Sequence, residues 1–189
     1  MNDSLAPCLL VASPALSDDG FHRTVVLLTE SSESGALGFV LNRKTPFLFE
    51  EVARELDVPY TPTPERDASI YAGGPVSPER GWILFRDEER FHDDGSVIEV
   101  TRGVKLGITV DLLKTFLSPR EDRPFKFLLG YAGWGPGQLE AELKEGAWLP
   151  LDFRPDLLFE TPADRLWDES IRRLGLAPGA FFMVPGGDA

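Results

Sequence analysis

A single cysteine in 189 residues, Cys8, leaves no internal disulfide to be made. Two histidines, His22 and His92, are the chain's entire supply of imidazole, and with one cysteine they offer no zinc-ligand spacing. No G-x-S-x-G elbow is present, so the hydrolase triads also lack their parts. Runs of lysine and arginine are missing. The 31 acidic residues outnumber 19 basic ones, the formal net charge is −12, and the densest charge cluster, RDEERFHDDG at 86–95, is mainly acidic. Non-specific nucleic-acid affinity comes from basic side chains on phosphates. The balance therefore argues against direct DNA or RNA binding and weakens a direct transcriptional regulator as a reading. No apolar stretch approaches the ~20 residues of a membrane span. The first residues, MNDSLAPCLLVASPAL, carry an Asp and no Lys or Arg, unlike a signal peptide. These absences lead to the expectation of an acidic cytoplasmic protein with no membrane, metal or cofactor.

What is there fits one globular domain over residues 1–189, with 42% apolar and 26% charged residues and with glycine and proline spread along the length. CLLVAS (8–13) and TVVLLT (24–29) read as buried strands. ESSESG (30–35) reads as a turn and ALGFVL (36–41) as the second arm of a hairpin. Thr45-Pro46 looks like an N-cap followed by proline at the first helical position, predicting an amphipathic helix over 46–57. TPTPERD (61–67) is a loop, and 82–85, 97–101, 106–110 and 125–129 are further strands. Helices are predicted at 111–117, 137–145 and 164–174, the last with Trp167, Ile171 and Leu174 on one face and Gly175 as its stop. AFFMV (180–184) closes the chain as a strand. Early hairpins with helices interspersed later imply an α+β fold on a mixed, largely antiparallel sheet.

The densest glycine run is LLGYAGWGPGQLEAEL (128–143), with Gly130, Gly133, Gly135 and Gly137 between an apolar run and a helix. Glycines before a helix N-terminus can cradle a phosphate. A P-loop, however, needs Gly-Lys-Ser/Thr, and no Lys or Arg lies between 127 and 143. The spacing also misses the dinucleotide fingerprint. What is left is a strand-to-helix bend built for tight backbone contact, with Tyr131 and Trp134 as covers, or a pocket for an uncharged ligand or peptide. Asn42-Arg43 ends the apolar run ALGFVL, and Glu79-Arg80 follows the special-backbone loop GGPVSP. Either these form an internal Arg–carboxylate pair that fixes loops together, or the three loops wall one groove. Cys8, inside an apolar strand, reads as a small core hydrophobe.

Four segments carry a resemblance: SPALSDDGFHRTVVLLTE (13–30), GALGFVLNR (35–43), YAGGPVSPERGWIL (71–84) and LGYAGWGPGQLEAELKEGAWL (129–149). In this order, across nearly the whole chain, they resemble the YqgE/AlgH family of bacterial proteins. The resemblance implies a sheet curled into a pseudo-barrel with flanking helices. It implies no reaction, since the family has no established activity and its name reflects a proposed regulatory link to alginate production. It marks Asn42, Arg43, Arg80, Tyr131, Trp134 and Gln138 as ligand- or partner-binding candidates. Gly73, Gly74, Pro75, Gly130, Gly133, Gly135 and Gly137 are the structural loop positions. Cys8 stands where the family usually has glycine, Arg86 lies where a histidine is common nearby, and the ending GGDA replaces a frequent Gly-His-Ala, which weakens any shared histidine chemistry. The first expectation is a non-enzymatic binding or adaptor protein with an unknown protein partner and a regulatory role. The alternative is an enzyme or small-ligand binder with a pocket formed by the Asn42-Arg43, GGPVSPER and GYAGWGPGQ loops.

Overall fold

A computed structural model describes residues 5–60, 69–87, 96–118 and 123–177. Within them the chain runs β1 (Cys8–Ala12), β2 (Val25–Ser32), β3 (Gly35–Val40), β4 (Lys44–Leu48), α1 (Phe49–Glu55), β5 (Ser69–Ala72) and β6 (Val76–Arg86). It continues through β7 (Val97–Thr101), β8 (Val104–Gly107), α2 (Val110–Leu117), β9 (Phe125–Trp134), α3 (Gln138–Lys144), β10 (Trp148–Asp152), α4 (Pro155–Glu160) and α5 (Ala163–Arg173).

CLLVA contains no polar residue because β1 is an inner strand, buried throughout, with β10 on one side and β2 on the other. β2 and β3 form the expected hairpin. One arm of the sheet is β10-β1-β2-β3, which reaches the second half of β9. The other holds β4-β5, the first half of β9, then β6, β8 and β7. Among the described strands every pairing is antiparallel except β5 with β9. The result is the curled half-barrel of an α+β fold.

The second arm separates two cores. Tyr71, Leu84, Leu106 and Leu128 face the barrel interior, where they join β1, β2 and the buried face of α5. Their neighbours Ile70, Ile83, Phe85 and Phe127 face outward and are covered by Phe49 and Ala53 of α1 and by Leu112 and Phe116 of α2. Strand alternation puts adjacent residues such as Phe127 and Leu128 into different cores. On the far side, α5 is pinned to β1 by the Trp167 indole, which donates to the Ala12 carbonyl at 2.8 Å. Gly175 follows α5 at φ 76°, as its stop signal implied.

Several sequence expectations are corrected. Residues 46–57 are not one helix: Lys44–Leu48 pair with β5, and α1 starts only at Phe49. Thr45 does not cap it, because its hydroxyl donates to the Ile70 carbonyl at 3.0 Å. Pro46 sits on an edge strand, where a missing N–H costs nothing. The strand expected over 106–110 stops at Gly107, because Thr109 is the N-cap of α2 and accepts from the Leu112 N–H at 3.1 Å. The glycine run is largely strand, since β9 continues to Trp134 and only 135–137 turn toward α3. Finally, the GGPVSP loop is half strand, since β6 starts at Val76, and β10 and α4 had no counterpart in the sequence reading. The loop at 61–67 and the strand at 180–184 lie outside the described residues. Among the described residues no helix is long and apolar enough to cross a membrane.

Candidate functional site

The three motif segments do meet, through their backbones. The Ala72 N–H donates to the Arg43 carbonyl at 2.8 Å, and the Gly73 N–H donates to that of Leu129 at 2.7 Å. The Gly73 carbonyl accepts from Val40 at 2.8 Å. Gly74 lies so close to β9 that a Cβ there would sit 2.1 Å from the Tyr131 carbonyl carbon. At Gly130 (φ 69°) β9 bends from one arm of the sheet into the other, and a Cβ would lie 2.5 Å from the Gly74 oxygen. The close approach at Gly74 and Gly130 is therefore backbone on backbone. Pro75 is exposed beside it. Gly133 and Gly135 have ordinary clearance.

The side chains there are mostly engaged. Asn42 Oδ1 accepts from the Val25 N–H at 3.0 Å and its Nδ2 donates to the Arg23 carbonyl at 2.9 Å, so this side chain clamps the entry to β2. Arg43 Nη2 donates to the His22 carbonyl at a long 3.4 Å. Arg80 lies 5.0 Å over the Trp82 ring, a cation–π contact, and Tyr131 meets the edge of the same indole at 6.5 Å. Neither Arg43 nor Arg80 pairs with a carboxylate among the described residues, which corrects the expected internal ion pair. The Trp82 Nε1 is buried with no hydrogen-bond partner among the described residues.

Trp134 and Gln138 belong to a network that sequence reading missed. Glu142 Oε2 accepts from the indole N–H of Trp134 at 2.9 Å and of Trp148 at 2.7 Å. Its Oε1 accepts from Gln138 Nε2 at 2.8 Å, while Gln138 Oε1 accepts from the Gly135 N–H at 3.0 Å. Gly137 (φ 74°) makes the turn that starts α3. The spacing of Gln138 and Glu142, one helical turn apart, was the available signal. Cys8 is buried, as expected of a core hydrophobe. Desolvation, with a smaller contribution from the Asp152 carboxylate, pushes its thiol up to about 11, so it is protonated and a poor nucleophile at neutral pH. His22 is exposed, its Nδ1 3.0 Å from the Leu16 carbonyl, and His92 lies outside the described residues.

An open concavity among the described residues lies on the outward face of the second sheet arm. A groove of about 670 Å³ runs between α1 and the first half of β6. Its floor is Ile70, Phe127 and Leu129, which share a face because Ile70 pairs with Phe127 in register. Val52, Glu51 and Glu55 form the α1 wall, and Pro78 and Glu79 form the other. Phe47, 55% exposed, stands at its margin with Arg54. A smaller cavity of about 170 Å³, bounded by Ile83, Ile108, Val110 and Leu113, shares Phe127 with the groove. Of the sequence candidates only the GGPVSPER segment contributes here, through Pro78 and Glu79 at the start of β6.

A family model described as AlgH-like matches residues 9–179. A UPF0301 protein of Anaeromyxobacter dehalogenans is 43% identical over 187 residues, covering 97% of this chain and 94% of its own. Another, from Myxococcus xanthus, is 39% identical, with 97% and 98% covered. The solution structure of the AlgH protein from Pseudomonas aeruginosa superposes with a TM-score of 0.74 at 32% identity, covering 100% of this chain and 98% of that one. A crystal structure of a Corynebacterium diphtheriae protein, 22% identical with a TM-score of 0.71 over 89% and 86% of the two chains, shares the fold.

Proposed function

The chain belongs to the AlgH-like family, and we propose that it is a non-enzymatic binding or adaptor protein that takes a protein partner in the groove between α1 and β6. Its role is regulatory, exercised through that partner in the cytoplasm. The observation that carries this reading is a contrast. Asn42, Trp134 and Gln138 are spent on internal hydrogen bonds, while the groove keeps apolar surface exposed at Phe47 and Pro78 beside the half-buried Val52 and Leu129. Exposed apolar surface in a concavity, rimmed by polar groups, is the mark of an interaction site. The rival pocket, walled by the Asn42-Arg43, GGPVSPER and GYAGWGPGQ loops, needs free polar atoms where Asn42 and Gln138 already have partners. Direct DNA recognition has no support from a chain of net charge −12.

Affinity capture from a bacterial lysate tests the reading, using the wild type, Phe47→Glu and Gln138→Ala, each checked for an unchanged far-ultraviolet spectrum. A protein retained by the wild type and by Gln138→Ala but lost with Phe47→Glu is the expected result. One and the same set of proteins from all three baits overturns it.

A further inference from the structure

From the chemistry of the groove we infer that its occupant is a short amphipathic helix carrying basic residues, contributed by the partner protein. This rests on the binding reading above and specifies what is bound. α1 and α2 both pack on the outward face of the sheet, and their side chains meet the same strands. Phe127, itself buried, borders both the groove and the smaller cavity, which therefore adjoin along one strand. A groove between a helix and a strand, with Phe47 and Pro78 exposed and Val52 and Leu129 half-buried along it, suits the apolar stripe of one more helix. The smaller cavity, at about 170 Å³, is lined by Ile83, Ile108, Val110, Leu113 and Phe127, with Gly81 and Thr109. An apolar space of roughly 150 Å³ admits a benzene ring, so this one has room for a single Leu, Met or Phe anchor.

The rim decides the sign of the partner. Three carboxylates, Glu51, Glu55 and Glu79, stand on it against one guanidinium, that of Arg54. Arg54 is itself turned toward Glu50, 3.6 Å away. Glu51 accepts from the Leu48 N–H at 3.0 Å. Glu55 and Glu79 have no ion pair or hydrogen bond among the described residues, so their charge is available to a ligand. The chain as a whole, at net charge −12, repels acidic segments and draws in basic ones.

The test uses a fluorescein-labelled amphipathic helical peptide of leucine and lysine, its leucine–glutamate counterpart, and anisotropy titrations. The wild type binds the lysine peptide saturably and the glutamate peptide at least tenfold more weakly. Glu55→Lys with Glu79→Lys lowers affinity for the lysine peptide tenfold or more, and Val110→Glu at the mouth of the small cavity lowers it several-fold. Glu140→Lys with Glu145→Lys makes the same change in net charge at α3, and changes affinity less than twofold. An equal loss in both double variants makes the binding a net-charge effect and overturns the assignment. Equal affinity for the two peptides, or no saturable binding of the lysine peptide, overturns it as well. In those cases the broader binding reading still stands if Phe47→Glu loses the captured protein, and falls separately if it does not.

Discussion

Glu142 is the side chain on which the most conspicuous sequence motif depends. Its carboxylate satisfies two indole N–H groups and one amide, and the two indoles are buried with their rings edge to face at 5.9 Å. A buried donor left without its acceptor costs about 1–3 kcal/mol. Glu142→Ala orphans both indoles and should destabilise the protein by about 2–4 kcal/mol. Trp134→Phe removes one donor and keeps the ring, so its cost should be near 1 kcal/mol. Urea titrations of the two variants measure both, and equal losses would mean that packing dominates over the shared carboxylate. Trp134 and Gln138 stood out in the sequence as partner-binding candidates through the family resemblance. That Trp134 turns inward depends on Trp148 arriving from a different strand, a pairing no local pattern records, while Gln138 stays exposed and is tied to Gly135 and Glu142. Cys8 is the opposite case: its apolar neighbours alone predicted a buried, unreactive thiol.

At the scale of elements, β9 explains both what was legible and what was not. Runs such as CLLVA and TVVLLT are buried on both faces and announce themselves as strands. The Gly130–Trp134 stretch looks like a loop because its small residues serve a long-range need, the crossing over Gly74 and the pairing with β3. Lys44–Leu48 is likewise a strand only because β5 pairs with it, which a cap-like Thr-Pro dipeptide concealed. β10 carries a proline at its centre, tolerated because β10 pairs on one side only, with β1. The glycines of this run can be ranked by experiment. Gly130→Ala combines a left-handed backbone with a Cβ 2.5 Å from a backbone oxygen that cannot move without shifting the crossing. Gly137→Ala has a similar φ of 74° but open space. Left-handed backbone alone costs roughly 1–2 kcal/mol for a residue with a Cβ. Gly137→Ala should therefore lose about 1 kcal/mol and Gly130→Ala more than about 3 kcal/mol, read as midpoints in urea. Comparable losses would show that the crossing relaxes and that its close approach is not what glycine supplies.

For the molecule as a whole, the two cores are joined by the strands that divide them. β5, β6 and β9 send alternate residues to each side, so the outer core cannot be lost without freeing the strands that wall the inner one. The probes separate cleanly. Trp134, Trp148 and Trp167 are in the inner core and Trp82 packs against it, while the outer core is built from phenylalanines and aliphatic residues with Tyr60 at its edge. Tryptophan fluorescence therefore reports the inner core directly, and far-ultraviolet circular dichroism reports both. The expected outcome is one transition with coincident midpoints in the two signals. Phe116→Ala sharpens the experiment, since Phe116 is fully buried in the outer core and packs on Phe85 and Phe125, not on a tryptophan. Truncating a buried phenylalanine costs about 3–5 kcal/mol. If the cores unfold together, this substitution lowers the fluorescence midpoint as far as the dichroism midpoint, although it touches no fluorophore. A fluorescence midpoint that stays in place while the dichroism shifts would mean that α1, α2 and the sheet face beneath them open independently, and the groove would then sit on a separately unfolding layer.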